Sequence, residues 1–126
     1  MTIAQTRIKS LSRADLASAL GPRARDATYE QSALDVAGQI SLAAVRAVGE
    51  AMMSAPDDLR ICRAFGTTDP EDPDWRQLVL VVDQPGEPGS DEWRASLRIV
   101  GHVIEYAIAR HPDLSHAIGS EIAFEV

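Results

Sequence analysis

Leu59-Arg-Ile-Cys-Arg-Ala-Phe65, then Gly66-Thr-Thr-Asp-Pro-Glu-Asp-Pro-Asp-Trp75, then Gln77-Leu-Val-Leu-Val-Val82 decide the fold. The first and third pieces are short, rich in aliphatic residues and bounded by breakers, which predicts two strands. The middle piece collects Asp, Pro and Thr and reads as a long acidic loop at the tip of an antiparallel hairpin. Gln77–Val82 is apolar on both faces, as a central strand is.

Toward the C-terminus, Asp83-Gln-Pro-Gly-Glu-Pro-Gly89 is a connector of breakers. Ser90 starts a helix that runs to about Arg110, with Trp93, Leu97, Val100, Ile104 and Ala107 as its apolar line. His111-Pro112 closes it. Glu121–Val126 alternates, with Ile122, Phe124 and Val126 inward, and reads as the last strand. A strand–helix–strand crossover sets it parallel to Gln77–Val82.

Toward the N-terminus, Thr28-Tyr-Glu-Gln31 has capping-box spacing and Pro56 is a stop, with a proline-free, Ala-rich stretch between them. One long helix is predicted there. Its polar residues Asp35, Gln39, Arg46 and Glu50 form one narrow stripe, and the rest is small or apolar. A surface helix buries a single stripe, so this helix is expected at the centre or shared with another subunit. Gly38 and Gly49 inside it need close backbone packing to offset their low helix propensity. Ahead of it, Ser12-Arg-Ala-Asp15 caps a short helix that Gly21-Pro22 ends. Residues 1–10 read as a flexible tail or an edge strand.

The prediction is an α+β fold in one domain, residues 1–126. A small three-stranded mixed sheet (β-β-α-β) carries the long Ala-rich helix and the short N-terminal helix. Helices on one face leave the other bare, and a bare apolar face usually meets a partner. The stretch Asp69–Val82, with a strand before it and a helix after, resembles small uncharacterised bacterial proteins with a β-β-α-β core. The resemblance covers about half the chain and implies a fold and no activity.

Composition narrows the function classes. The chain has 126 residues and a net charge of −7. Residues 1–50 carry six basic and five acidic side chains, and residues 51–126 carry six and fourteen. An acidic chain works against nucleic-acid binding, which draws its affinity from neutralised phosphates. No apolar run is long enough to span a membrane, and no basic start followed by an apolar run marks a secretory leader. A cytoplasmic protein is expected. Eleven of the twelve cations are Arg, a bias that fits a GC-rich bacterial genome.

No complete catalytic motif is present. Ala17, Gly21 and a following helix resemble the start of a helix-turn-helix, but Pro22, Glu30 and Asp35 spoil the recognition helix, leaving Arg23 and Arg25 as the helpful charges. His102 and Glu105 share a helix face with Arg98 one turn earlier. They are the candidate catalytic pair, for proton transfer or ligand binding. A metal site needs a third and usually a fourth ligand, so no metal and no cofactor is expected. Asp69, Glu71, Asp72 and Asp74 lack the glycine and alternation of a calcium loop, since Pro70 and Pro73 interrupt them. Cys62, in a strand, reads as a buried, inert thiol.

The function expected from these residues is a non-enzymatic protein–protein interaction module: a regulatory or adaptor subunit, an antitoxin-like neutraliser or a small chaperone. Its partner would be another protein or a second copy in a homodimer. Contact would come electrostatically from Asp69, Glu71, Asp72 and Asp74 and by packing from Ile40, Ala44, Val48 and Met52. The alternative is a small enzyme or ligand-binding domain built on His102 and Glu105.

Overall fold

A computed structural model describes residues 10–55 and 59–126. The predicted strand Gln77–Val82 is the C-terminal half of β3 (Asp72–Val82), and it lies between β2 (Ile61–Asp69) and β4 (Ile122–Glu125). β2 and β3 pair antiparallel, and β3 and β4 pair parallel, with Leu78 opposite Ile122 and Leu80 opposite Phe124. Leu78 and Leu80 are fully buried and Val79 is 8% exposed. That two-sided burial is why a run of six residues without a charge can be a stable strand. The architecture is α+β, with five α-helices and one mixed sheet among the described residues.

The sheet has four strands where three are expected. The fourth, β1 (Thr28–Tyr29), pairs parallel with Arg63 and Ala64 of β2. Thr28 therefore caps no helix. The β-branched and aromatic pair finds a strand edge instead, and the Tyr29 hydroxyl donates to the Ala24 carbonyl at 2.5 Å, with the Arg13 guanidinium 5.1 Å from its ring centre. Burial raises the Tyr29 pKa above its usual value, against a smaller lowering by Arg13.

The long helix is two helices. α2 (Gln31–Ala37) begins after Glu30 and ends at Gly38, and α3 (Leu42–Met52) begins after Ser41. Ser41 makes the break: its Oγ accepts from the Ala44 amide at 3.1 Å, and its own amide donates to the Glu121 carboxylate at 3.1 Å. An N-cap serine starts a helix as firmly as it interrupts one. α1 (Arg13–Leu20) is capped as expected, with Ser12 Oγ accepting from the Asp15 amide at 3.1 Å, and Gly21 follows it at φ 84°.

The loop expected between Phe65 and Trp75 is mostly ladder. Pairing continues through Thr67 opposite Gln77 and Thr68 opposite Arg76, out to Asp69 opposite Asp72. Thr67, Thr68 and Trp75 favour extended backbone. Pro70 and Pro73 sit at the turn and beside it, where a lost amide costs little. The connection shrinks to Pro70-Glu71.

α4 (Asp91–Arg110) starts at Ser90, whose Oγ accepts from the Trp93 amide at 3.1 Å. Its buried line is rotated from the expected one. Val103 and Ala107 are buried, while Leu97 is 41% exposed and Ile104 half-buried. Beyond His111 a helix not anticipated, α5 (Ser115–Glu121), takes Glu121 out of the last strand.

The core lies between the helices and one sheet face. Gly66 lies on that face, and a Cβ there would stand 2.2 Å from the Ser32 carbonyl oxygen of α2. α1 crosses α3 just as closely at Gly49, 2.4 Å from the Ala19 carbonyl oxygen by the same measure. The opposite sheet face carries Phe65, Val81 and Ala123, all half-buried. The expectation for residues 1–10 lies, apart from Ser10, outside the described residues. Ser10 Oγ lies 2.5 Å from Asp35 Oδ1, and Gln31 donates to the same oxygen at 2.9 Å; these two bonds hold the Asp35 carboxyl below its ordinary pKa.

Candidate functional site

Two regions gather the residues singled out above. The first lies along α4. The side of the helix next to its buried line carries Ile99, His102 and Tyr106, and it faces Ser54 and Ala55 beyond the end of α3. Between them is a cleft of about 400 Å³. Ala55, Ile99 and Val103 give it apolar walls, and Ser54, His102 and Tyr106 place polar atoms at its rim. A second, smaller depression shares Ile99 and adds Ser96, Leu59, Val82, Asp83 and Gln84. Gln84 has φ 51°, in the left-handed region that non-glycine residues seldom occupy.

This arrangement separates the expected catalytic pair. His102 lines the cleft, whereas Glu105 is exposed and lines neither depression. A step of three residues turns a helix by about 300°, roughly 60° short of a full turn, enough to put neighbours on different sides of a rim. Tyr106, four residues after His102, is the side chain that joins it, and helical spacing alone pairs the two. Arg110 lies 5.8 Å from the Tyr106 ring centre and 3.7 Å from the Glu50 carboxylate. His111 Nε2 lies 3.5 Å from the same carboxylate. No three His, Cys, Asp or Glu side chains converge to hold a metal among the described residues.

The second region is the outer half of the β2–β3 hairpin. β4 pairs with β3 only from Leu78 onward, and β1 pairs with β2 only at Arg63 and Ala64. Among the described residues Thr67–Gln77 is thus a two-stranded ribbon with no strand on either side, and His116, Ser120 and Glu121 of α5 line a depression with Asp72, Asp74, Trp75 and Arg76 on its β3 side. Asp69 is half-buried, and Glu71, Asp72 and Asp74 are exposed. Asp69 accepts from the Glu71 amide at 2.9 Å and Asp72 from the Asp74 amide at 3.2 Å, so two of the four carboxylates shape the turn. Trp75, 37% exposed, stands next to the acidic tip, in the register shift between Asp72 and Arg76.

The other candidates fall elsewhere. Ala44, Val48 and Met52 have no exposure and pack into the chain's own core, with Ile40 half-buried at its margin. The α3 face they form is covered by this chain itself, so it is not a free surface for a partner. Arg23 is 6% exposed and donates to the Ala55 and Leu59 carbonyls, which removes it from any phosphate-binding surface. Cys62 is exposed, contrary to the expected burial: it sits where the β2–β3 register slips, between Ile61 and Arg63, and the bulge turns it outward.

The fold and these regions define an α+β architecture with a cleft along α4 and an acidic β-ribbon. No family model matches the chain, and no curated protein or solved structure matches it. Among the described residues, no helix is long and apolar enough to cross a membrane.

Proposed function

We propose that this is a cytoplasmic, non-enzymatic protein–protein interaction module, a regulatory, adaptor or neutralising subunit that docks a basic partner. The observation that carries this reading is the ribbon Thr67–Gln77, which pairs with no third strand among the described residues and carries four carboxylates at and near its tip, with Trp75 beside them. Charges at the end of a ribbon steer a partner and fix its register, while an aromatic beside them supplies contact area.

Replacing Asp69, Asp72 and Asp74 by Asn and Glu71 by Gln removes four charges and keeps the side-chain acceptors that hold the turn. Native capture from the source cell is expected to recover a basic protein in near-equal amount with the wild-type chain. The quadruple variant should bind that protein about tenfold more weakly or worse, with little change in melting temperature. Equal recovery with both chains would refute the ribbon as the docking element.

A second reading is supported by the His102 cleft. Apolar walls with a few polar atoms at the rim suit a small, largely apolar ligand. If His102 orients that ligand, a small aromatic carboxylate should shift the amide signals of Ile99, Val103 and Tyr106 in a titration followed by NMR. His102→Ala should weaken the binding, and identical titrations of both chains would remove His102 from the site.

A further inference from the structure

One flank of α4 differs from an ordinary solvated helix face. Leu97, Gly101, Ile104 and Ile108 follow one another at spacings of four, three and four, on the flank of the buried Val103 and Ala107, with Ile104 and Ile108 touching the core by one side. Leu97 is 41% exposed, and the other three are half-buried. Arg98 and Glu105 run beside this line, both exposed, and neither has an ion pair among the described residues. Gly101 sits mid-helix with no atom within 4 Å of where its Cβ would stand. Gly49 and Gly66 are required by close contacts inside the chain. Nothing inside the chain requires Gly101, although glycine is the poorest helix former after proline.

We propose that this face is a two-fold contact between two copies of the chain, with the α4 helices antiparallel and Gly101 at the axis. The charge pattern commits the face to a second copy. An antiparallel pair centred on Gly101 sets positions three and four before it against positions four and three after it. A two-fold axis perpendicular to both helices keeps each flank on its own side. Leu97 therefore meets the partner's Ile104 on one flank, and Arg98 meets the partner's Glu105 on the other, each twice by symmetry. A parallel pair would instead press the apolar flank onto the charged one. Gly101 lets the two backbones approach at the centre, where any side chain would hold them apart.

This inference does not depend on the acidic ribbon, which lies on another element. The test is sedimentation equilibrium of the full chain across the micromolar range. The wild type is expected to be a reversible dimer. Arg98→Glu alone and Glu105→Arg alone each set like charges together twice, and each should raise the dimer dissociation constant about tenfold. Arg98→Glu combined with Glu105→Arg should restore it to within about threefold of wild type. Gly101→Leu should reduce dimerisation while keeping a native circular dichroism spectrum, because that position is open in the single chain. A wild type that stays monomeric to about 100 μM, a concentration well above a dissociation constant of functional use, would overturn the proposal. So would a dimer indifferent to both single reversals.

Discussion

Gly66→Ala is expected to cost about 3 kcal/mol or to prevent folding altogether, more than overpacking of a flexible core site usually does. A Cβ at this position would stand 2.2 Å from the Ser32 carbonyl oxygen, 2.8 Å from its carbon and 2.5 Å from Val36 Cγ2. Two of those three atoms are backbone of α2, which no rotamer change can move. Relief requires lifting α2 off β2. That lift would stretch the bond from the Gly66 amide to Ser32 Oγ, now 3.0 Å, and uncover Ala33, Val36 and Ala37, which are all buried. The opposing gain, from a less flexible unfolded chain, is about 0.4–1 kcal/mol. A domain of this size is stable by about 5–15 kcal/mol, so the loss is a large fraction of the whole. Urea unfolding followed by circular dichroism measures it. Gly119→Ala is the control: it lies in α5 with nothing within 4 Å of the added carbon, and it should be neutral or slightly stabilising. Equal midpoints for Gly66→Ala and wild type would show that α2 does not sit on β2 this closely.

The elements legible in the sequence are those whose local signals agree. α4 has a serine cap, an acidic first turn and a breaker after it, and β3 has its charge-free run. Where signals conflict, tertiary contacts decide. Helical periodicity runs through Gly38 and Ser41 without a fault, so nothing local distinguishes one long helix from two until Glu121 is seen to bind the Ser41 amide. β1 has two residues and exists only because Arg63 and Ala64 offer an edge. Pro and Asp between Phe65 and Trp75 look like loop chemistry, yet the strand-forming Thr67 and Thr68 prevail once each has a partner across the ladder, and Pro73, Asp74 and Trp75 are taken up in a register shift of β3. On α4 two sides are apolar, and periodicity alone does not choose between them. The chain buries the Val103 side, leaving Leu97 exposed.

Of the candidate site, His102 was legible as a polar residue on a half-exposed helix. The cleft was not, because its opposite wall, Ser54 and Ala55, comes from the segment that follows another helix, α3. The carboxylates of the ribbon were legible as exposed charge. Their arrangement on paired strands rather than a loose loop was not, since Asx-type turns give the same composition in both.

Arg23→Met is expected to lower stability by about 1–3 kcal/mol, the range for leaving a buried acceptor without its donor; that acceptor is the Ala55 carbonyl, since the Leu59 carbonyl also accepts from Arg60 Nη1 at 2.9 Å. Arg23 lies in the 3-10 turn Pro22–Ala24, and its guanidinium reaches the Leu59 carbonyl through Nη1 at 3.1 Å and the Ala55 carbonyl through Nη2 at 2.8 Å. Those carbonyls lie on either side of the connection from α3 to β2, so one side chain ties the exit of a helix to the entry of a strand. Methionine keeps most of the aliphatic stem, which confines the change to the lost donors. Arg23→Lys should also lose stability, because one ammonium does not span two acceptors as a planar fork does. Arg25, two residues on, is exposed, and Arg25→Met should stay within about 0.5 kcal/mol of wild type. The contrast separates two accounts of the same short basic segment. If these cations served an anionic partner, both substitutions would reduce binding and neither would change the unfolding midpoint. If Arg23 fastens the fold, its replacement alone moves the midpoint, and added salt restores little of the loss because the donors are buried. An unchanged midpoint for Arg23→Met would mean that water replaces the guanidinium at the Ala55 carbonyl, that Arg60 suffices at Leu59, and that the α3–β2 connection holds its course without Arg23.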